Sequence, residues 1–413
     1  MIENLKRFYI NGEWVDPISD QTMLVINPAT EEQIGTVALG NARDVDLAVE
    51  AASAAFDQFS QTTKMDRLDL LKSVMVITQR RLEDLAQAMR MEMGAPITMA
   101  RSSQADAAIG HLQGFIDALE EHNERAKLNN GDIMVHEPVG VCGLITPWNW
   151  PINQITLKVL PALATGCTCI LKPSEHTPIS AMIYAEILNE AGYPKGVFNL
   201  INGEGPVVGA ALSRHPDIQM MSFTGSTRAG TAVTCDAADT VKRVTLELGG
   251  KSPNLVFADC DLEDRVNASV QECMFNTGQS CDAPTRLLVE RACYDDAVRI
   301  AKKAAEETEV GDPAIEGDHI GPLFDKIQFE RVQRMIKVGI DEGATLLAGG
   351  MGKPEGIDKG WYVKPTIFSD VSNDMRIAQE EIFGPVLVII PFEDESEAIA
   401  IANDTPYGLA AYL

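Results

Sequence analysis

The sequence has few of the features that mark proteins of membranes, nucleic acids or metal centres. No apolar run reaches the roughly 20 residues that a membrane-spanning helix needs, and the start shows no basic and then apolar signal region. Basic residues are scarce, since 34 lysines and arginines against 60 aspartates and glutamates give a net charge of −26. That charge disfavours nucleic acid and anionic membranes as partners. We therefore expect a soluble, cytoplasmic protein with neither of these partners.

The sequence also lacks an ordered cysteine pattern and the usual dinucleotide fingerprint. Its eight cysteines show no pairing rhythm and lie mostly in apolar runs, as thiols of a reducing compartment do. Cys167 and Cys169 have no second pair of ligands, so we expect no zinc site and no other metal. Gly203, Gly205 and Gly209 approach the spacing Gly-x-Gly-x-x-Gly but miss it, which makes them weak evidence for a nucleotide site.

The chain has 413 residues, a length typical of two or more domains. The period of its hydrophobic residues changes along the sequence. Residues 8–39 alternate as in hairpins, and residues 44–123 follow a helical period that includes one long helix over 65–93. From Val139, short apolar strands alternate with helices, which predicts a parallel sheet with helices on both faces and ligands at the carboxyl ends of its strands. Residues 248–413 repeat the alternation and predict a second α/β domain. Its expected strands are near 285–290, 362–368 and 386–392.

One polar loop, FNTGQSC, follows a helix-like run and precedes a strand-like one. Gly278 allows a sharp turn in this loop, so that the thiol of Cys281 can approach a ligand. Upstream, Glu247 ends an apolar strand just before the pair Gly249 and Gly250. A thiol and a carboxylate at such edges can act as nucleophile and base in covalent acyl chemistry.

Three further polar segments follow predicted strands of the first sheet. In FTGST, backbone amides and the Ser226 hydroxyl can receive a pyrophosphate at a helix N-terminus, although an ordinary helix cap has the same pattern. In KPSE, Lys172 and Glu175 can hold ribose hydroxyls, or Glu175 can merely cap the next helix. In TPWNWP, the Asn149 amide can donate to an oxyanion or satisfy a turn. The residues alone leave these alternatives open.

Six segments, in this order and at these separations, resemble those of the NAD(P)-dependent aldehyde dehydrogenase superfamily. They are TPWNWP (146–151), LKPSEHTP (171–178), FTGST (223–227), LELGGKSPN (246–254), FNTGQSCDAPTR (275–286) and EEIFGPV (380–386). The resemblance runs from about residue 8 to the last residue. It implies an α/β fold with a Rossmann-like parallel-sheet NAD-binding domain, a second α/β catalytic domain and a small β-ribbon oligomerisation element.

The resemblance implies catalytic roles for three residues. Cys281 would add to the aldehyde, and the side chain of Asn149 and the backbone amide of Cys281 would hold the thiohemiacetal oxyanion. Hydride would then pass to the nicotinamide and leave a thioester. Glu247 would activate the water that releases the acid, which suits a carboxylate that accepts a proton near neutrality.

The resemblance also implies contacts to NAD, with NADP possible because only Glu175 disfavours a 2′-phosphate. The expected cofactor contacts are Thr146, Pro147, Trp148, Lys172, Ser174, Glu175, Gly205, Phe223, Gly225, Ser226, Leu248, Glu381 and Phe383. Within this set, Lys172 and Glu175 match the adenosine-ribose contacts. Glu381 and Phe383 match positions beside the nicotinamide ribose and ring.

Five residues would line the aldehyde entrance by the same resemblance: Trp150, Gln154, Leu157, Phe275 and Asp282. They are mainly apolar and carry no cation, so we expect aliphatic or aromatic aldehydes of broad range rather than acidic semialdehydes. Asp282 directly follows the nucleophile. Its charge would raise the pKa of the thiol by repulsion, unless its side chain points away.

The implied domains are an NAD-binding domain over 1–124 and 139–247, an oligomerisation ribbon over 125–138 and a catalytic domain over 248–413. Chains of this superfamily normally continue past the position of Leu413, with a strand that pairs with the ribbon and a segment that helps to close the substrate pocket. The sequence stops in what looks like a new strand. We expect a homodimer or a homotetramer where that tail is present.

Three alternatives stay open. A CoA-acylating aldehyde dehydrogenase would pass the thioester to CoA, but Glu247 in its ELGG setting favours water. A non-catalytic structural or binding member of the fold is suggested by the lack of the C-terminal segment, and the intact set of Cys281, Glu247 and Asn149 disfavours it. A cysteine hydrolase would need an activating histidine, and none of the six histidines has such a setting.

Overall fold

The structure, a computed structural model, describes residues 4–413 as two compact units. The first contains the residues up to Ile26, Gln33–Glu92 and Ala100–Glu247, and the second contains Asn27–Glu32, Met93–Met99 and Leu248–Leu413. The predicted boundaries differ from this division at two short segments, 27–32 and 93–99, and the predicted separate ribbon over 125–138 is part of the first unit. The two short segments make long-range backbone hydrogen bonds in the second unit, which no local sequence pattern indicates.

The described part of the first unit contains eleven strands: β1 (Phe8–Ile10), β2 (Glu13–Val15), β3 (Thr22–Ile26), β4 (Gln33–Ala38), β5 (Arg125–Lys127), β6 (Ile133–Val135), β7 (Val141–Ile145), β8 (Thr168–Lys172), β9 (Phe198–Leu200), β10 (Met220–Thr224) and β11 (Arg243–Glu247). Seven of them form one sheet in the order β11-β10-β7-β8-β9-β1-β2. The five strands from β11 to β9 are parallel, and β1 joins β9 antiparallel at the edge. The predicted parallel sheet is therefore present, with a hairpin added that the sequence did not assign to it.

Strand register aligns the carboxyl ends of the central strands. Ile145 at the end of β7 pairs with Lys172 on one side and Phe223 on the other, and Thr224 pairs with Glu247. Strands β7 and β8 are buried along their whole length, which is why they are continuous apolar runs. The polar segments that follow β7, β8, β10 and β11 consequently begin at one edge of the sheet.

Helices cover this sheet. They are Ala42–Phe59, Lys64–Arg80, Leu82–Glu92, Asp106–Glu121, Pro151–Ala164, Pro178–Glu190, Ala210–Arg214 and Thr227–Ala237, with π-helical turns at Ala100–Ala105 and Gly205–Gly209 and a 3-10 turn at Ala238–Thr240. The single long helix predicted over 65–93 is wrong, because the chain leaves helical geometry at Arg81 (φ −97°, ψ 9°). Its guanidinium bonds Asp84 and Glu186 there. The hydrophobic period continues through this break without a glycine or proline to mark it.

The second unit contains a five-stranded sheet in the order β12-β13-β16-β15-β14. Its strands are β12 (Pro253–Val256), β13 (Arg286–Glu290), β14 (Thr345–Ala348), β15 (Thr366–Ser369) and β16 (Val386–Phe392). Only the pairing of β14 with β15 is antiparallel. The predicted strand over 362–368 is thus shifted to β15, and β12 and β14 were not predicted. Both are short and only partly buried, so their apolar signal is weak.

Two apolar clusters lie on opposite faces of this sheet. Along β13, Leu287 and Val289 face one cluster and Leu288 faces the other, as the two-residue period of a strand requires. The helices are Ile97–Met99, Leu262–Met274, Tyr294–Glu307, Lys326–Asp341, Arg376–Gln379 and Glu395–Asn403, with 3-10 turns at Phe275–Gly278 and Arg291–Cys293. Within residues 4–413, no helix has both the length and the apolar character needed to cross a membrane.

Candidate active site

The loop that carries Cys281 is locked by its own polar side chains. It begins where helix Leu262–Met274 ends, and Asn276 and Thr277 take left-handed φ values of 52° and 57°. Asn276 Nδ2 donates to the Gln279 carbonyl at 3.2 Å, and Gln279 Nε2 donates back to the Asn276 carbonyl at 3.0 Å. Because both side chains are buried, these bonds hold a backbone shape that would otherwise cost energy.

Gly278 is required by a close approach in this loop. A Cβ atom there would lie 2.1 Å from the carbonyl oxygen of Gly384, in the segment EEIFGPV, and its φ is +68°. The nearby Phe383 also has a left-handed φ of 61°, and Gln328 holds it by donating to its carbonyl at 2.7 Å. The second unit therefore brings the cysteine loop and EEIFGPV together by backbone contact, which needs glycine on the approaching face.

The Cys281 thiol is electrostatically disfavoured as a thiolate. Burial raises its pKa to about 11, and the carboxylates of Asp282 and Glu381 add to the effect. Glu381 is held by the backbone N–H of Gly250 at 3.1 Å. Its own pKa is raised by burial, which that N–H and the charges of Arg331 and Lys251 oppose. The thiol is therefore protonated near neutral pH and needs a base before it can act as a nucleophile.

Gly249 and Gly250 allow Glu381 and the backbone of Cys281 to approach the chain closely. A Cβ on Gly249 would lie 2.3 Å from a carboxylate oxygen of Glu381, and a Cβ on Gly250 would lie 2.3 Å from the Cys281 carbonyl oxygen. A side chain on Gly250 would force a shift of the backbone, whereas one on Gly249 would displace the carboxylate of Glu381. Lys251 follows directly and is buried, with no hydrogen-bond partner for its Nζ among residues 4–413, and burial lowers its pKa to about 7.

In the first unit, Glu247 ends β11 with an exposed side chain, and its carbonyl accepts from the N–H of Gly225 at 3.0 Å. Lys158 is close to it and was missed by sequence reasoning. Burial lowers the pKa of Lys158 to about 8, although the charge of Glu247 opposes this, and its Nζ donates to Ser222 Oγ at 3.0 Å. The available signal was a single lysine within the apolar run ITLKVLPALA.

Asn149 lies in the loop between β7 and helix Pro151–Ala164, and only 4% of its surface is exposed. Its backbone carbonyl accepts from Gln104 Nε2 at 3.4 Å. Gln104 lies in the π-helical turn Ala100–Ala105, an irregularity that often accompanies functional sites. The loop is therefore anchored from a second helix, and Trp150 and Pro151 begin the helix that follows.

The buried Lys172 and the half-buried Glu175 form an ion pair at the end of β8. Lys172 Nζ donates to the carbonyls of Pro173 (2.8 Å) and Gly203 (2.6 Å) and to Glu175 Oε2 (2.9 Å), which occupies all three of its protons. Burial raises the pKa of Glu175, but the charge and hydrogen bond of Lys172, a backbone hydrogen bond and the charge of His176 together lower it by more, so the net shift is downward. Lys172 thus orients Glu175, whereas a direct bond to a ribose would require it to exchange one of these partners.

The turn FTGST caps the helix Thr227–Ala237. Ser226 Oγ accepts from the Ala229 N–H at 3.3 Å, the bonding of an ordinary N-cap. A Cβ on Gly225 would lie 2.6 Å from the Phe223 ring, so this turn packs tightly. Gly205, by contrast, has no atom within 4 Å of an added Cβ.

The remaining predicted residues divide between the units. Thr146 and Ser174 are buried, Trp150 and Gln154 are half-buried, and Leu157 is exposed in the first unit. Phe275 and Asp282 are exposed in the second unit, and Leu248 is half-buried. Among residues 4–413, no group of three or more histidines, cysteines or carboxylates is arranged to hold a metal ion.

Comparison with known proteins gives the family. The Aldehyde dehydrogenase family model matches residues 14–413. The chain is 51% identical to a 3-succinoylsemialdehyde-pyridine dehydrogenase of Pseudomonas sp, over 100% of this chain and 86% of the relative. An aldehyde dehydrogenase structure from Bartonella henselae superposes with a TM-score of 0.98 and 51% identity, over 100% of this chain and 87% of that one. Aldehyde dehydrogenase C from Pseudomonas syringae, a cysteine-to-alanine mutant complexed with NAD+ and octanal, gives 0.97 and 49%, over 99% and 84%.

The chain therefore belongs to the aldehyde dehydrogenase family and is an oxidoreductase that acts on aldehydes. The resemblance based on six segments is confirmed, as is the α/β fold with two sheet-based units and a small β-ribbon. The roles of the individual site residues and of the domains stay predictions.

Proposed function

We propose that the protein oxidises an aldehyde to the carboxylic acid, with NAD as the hydride acceptor and a covalent bond to Cys281 as the intermediate. The observation that carries the proposal is the close approach at Gly249 and Gly250. The carboxylate of Glu381 lies against Gly249 and the backbone of Cys281 lies against Gly250. These glycines follow Glu247 by only two and three residues, so the thiol and the two carboxylates belong to neighbouring parts of the chain.

The residues of the first unit fit a dinucleotide. Lys172 holds one carboxylate oxygen of Glu175, which orients the other oxygen to accept from a ribose hydroxyl. The open space at Gly205 and the helix N-terminus at Ser226 suit a pyrophosphate. When bound, the nicotinamide supplies the acceptor for a hydride, and we assign Glu381 and Phe383 to its ribose and ring. The carboxylate of Glu175 would repel a 2′-phosphate and so favours NAD over NADP.

The covalent steps follow from the side chains. The Cys281 sulfur bonds to the aldehyde carbon, and the oxyanion that forms accepts hydrogen bonds from the Asn149 amide and the Cys281 N–H. Loss of hydride from that carbon restores the carbonyl as a thioester. Glu247 takes a proton from water, the resulting hydroxide adds to the thioester carbon, and the thiolate leaves with the carboxylic acid released.

Two charges tune this chemistry. The raised pKa of Cys281 keeps the resting thiol protonated, so a base must take its proton before attack. Lys158 interacts electrostatically with Glu247, whose charge raises the pKa of Lys158 against the effect of burial. We propose that Glu247 serves both proton transfers and that Lys158 is a positioning residue for it.

The test is an assay of NADH formation by the purified protein with NAD and a panel of aldehydes. We expect NADH with the wild-type protein and none with Cys281→Ala. Glu247→Gln should form NADH more slowly than the wild type, because activation of the thiol and hydrolysis of the thioester both lose their base. If Cys281→Ala forms NADH as fast as the wild type, the covalent mechanism is wrong.

The substrate class we propose is broad, covering aliphatic and aromatic aldehydes. It is supported by the mainly apolar set of Trp150, Leu157 and Phe275. The similar proteins named above act on or bind a pyridine semialdehyde and octanal, according to their names. Both are aldehydes without a strong charge near the reacting carbon, in keeping with the absence of a cation from the predicted set.

We further propose that the ribbon of β5 and β6 mediates assembly into a homodimer or a homotetramer. The ribbon exposes four large apolar side chains: Leu128, Ile133, Met134 and Val135, at 44%, 60%, 41% and 47% of their surface. Such a patch favours association with another protein surface. Light scattering on the wild type and on Ile133→Asp tests this, since the charge should shift the mass towards the monomer.

A further inference from the structure

A polar pair joins the two helices that precede and follow Asn149. His111, on helix Asp106–Glu121, donates from Nε2 to Oδ1 of Asn153, on helix Pro151–Ala164, at 2.5 Å. Both side chains are half-buried. None of the cofactor or catalytic roles proposed above uses either residue.

Asn153 shares a helix face with residues of the predicted aldehyde entrance. It lies four residues before Leu157, and Gln154 lies three residues before Leu157, so the side chain of Leu157 adjoins both on one side of the helix. Ile152 and Ile155 face the core and are buried, whereas Leu157 is 40% exposed. The polar pair therefore lies beside the wall that Gln154 and Leu157 would present to an aldehyde.

The bond to His111 fixes the direction of the Asn153 amide. Because Oδ1 accepts from His111 Nε2–H, the Nδ2 amino group points away from the histidine with two N–H donors. Within the described chain, no hydrogen bond uses that amino group, and the Asn153 backbone carbonyl is occupied by the Thr156 hydroxyl. A half-buried amide with an unused donor can recognise a hydrogen-bond acceptor on a ligand.

We propose that Asn153, oriented by His111, makes the enzyme prefer aldehydes that carry a neutral hydrogen-bond acceptor, such as a ketone oxygen, a few bonds beyond the aldehyde carbon. This specificity rests on the proposed function, because it takes Asn149 as the group that binds the aldehyde oxygen. Asn153 follows Asn149 by four residues, in the first turn of the helix that begins after the Asn149 loop, so the acceptor it would bind belongs to the part of the aldehyde just beyond the reacting carbon. Aldehydes without an acceptor remain substrates but bind less tightly.

The experiment compares matched aldehydes with and without a ketone: 4-oxopentanal against pentanal, and 5-oxohexanal against hexanal. With the full chain and saturating NAD, the ratio of kcat/KM for keto to plain aldehyde should be about three- to tenfold in the wild type, the value of one partly exposed hydrogen bond. In Asn153→Leu this ratio should fall to about one. The change should appear in KM rather than in kcat, because the contact is equal in the ground state and the transition state.

Two further variants separate the donor from general polarity. Asn153→Asp keeps an oxygen for His111 but has no amino group, so it should lose the preference for the ketone. His111→Gln retains an N–H donor that can hold Asn153 in place and should keep most of it. The matched control is Gln113→Leu, on an exposed part of the same helix as His111. It should leave the ratio unchanged.

The outcomes are distinguishable. An equal keto-to-plain ratio in the wild type and Asn153→Leu overturns the inference, and so does a preference that survives in Asn153→Asp. If no aldehyde gives NADH, the proposed function is contradicted. The inference is then tested alone by equilibrium binding in Cys281→Ala, followed by tryptophan fluorescence. There 4-oxopentanal should bind at least about threefold tighter than pentanal, and equal binding would overturn the inference.

Discussion

Replacing Asp282 by asparagine should make the Cys281 thiol more reactive at neutral pH and less reactive at high pH. Burial raises the pKa of the thiol to about 11, and Asp282 is the next largest contribution, ahead of Glu381. Asparagine has nearly the same shape as aspartate but no charge. The variant therefore removes one repulsive charge and leaves the burial unchanged.

The size of the effect follows from Coulomb's law. For charges about 6 Å apart and an effective dielectric constant of about 40, suited to an exposed carboxylate, the repulsion is about 1.4 kcal/mol, or about one pKa unit. The thiol of Asp282→Asn should then have a pKa of about 10, and the thiolate fraction at pH 8 should rise about tenfold. A less basic thiolate is also a weaker nucleophile, with a Brønsted coefficient of about 0.4–0.5, so the net gain in rate at pH 8 is about three- to fourfold.

The assay is the rate of alkylation of Cys281 by iodoacetamide between pH 7 and pH 12, read on the Cys281 peptide by mass spectrometry. Reading the peptide excludes the exposed Cys235 from the signal. The two pH profiles should cross, because above its pKa the wild-type thiolate is the stronger nucleophile by about threefold. The control is Glu272→Gln, since Glu272 interacts with Asp282 but is not among the charges that act on Cys281.

Superimposable profiles for the wild type and Asp282→Asn would refute the reasoning, because they would mean that solvent fully screens the exposed carboxylate. A rate that rises at all pH values would also contradict it. Such a result would point to better access of the reagent rather than to a lower pKa.

Three further predictions concern other parts of the molecule. Gly250→Ala should lower kcat/KM by about a hundredfold, because its Cβ would meet the carbonyl oxygen of the nucleophile, whereas Gly114→Ala, with no atom within 4 Å of the new Cβ, should keep wild-type rates. Burial raises the pKa of Glu92 to about 7, so the folded state binds its proton more tightly than the unfolded state does. The wild type should therefore lose unfolding free energy relative to Glu92→Gln as the pH rises from about 4.3 to 7, by at most about 1.4 kcal/mol per pH unit in urea titrations, with no further loss above 7. Lys172→Met should raise the KM for NAD about tenfold with little change in kcat, because Glu175 loses the cation that orients it; an unchanged KM would show that the pair has no part in cofactor binding.

The candidate site was accessible to sequence reasoning because each of its segments is chemically local. Asn149 and Lys172 follow or end apolar runs that can only be buried strands, and parallel strands present their carboxyl ends at one edge. Glu247 ends a strand in the same way. The register of β7, β8, β10 and β11 then aligns these ends, as the alternation of strands and helices predicted.

Other site features could not be predicted because they depend on which groups are buried together. Lys158 and Lys251 are ordinary lysines in the sequence, and only burial lowers the pKa of each. The bond from Lys172 to the carbonyl of Gly203 likewise depends on a loop distant in the chain. The break at Arg81 is similar, since its partner Glu186 lies far along the chain.

The sequence by itself determined the family and the α/β alternation, and it predicts which thiol, carboxylate and amide carry out the chemistry. These follow from local runs of residues, in which spacing and side-chain type suffice. Only the tertiary structure decided that Cys281 is held as a neutral thiol and that Gly250 touches its carbonyl. It also decided that His111 turns the amide of Asn153. Burial, close backbone approach and hydrogen-bond direction are set by residues distant in the chain, and no local pattern contains them.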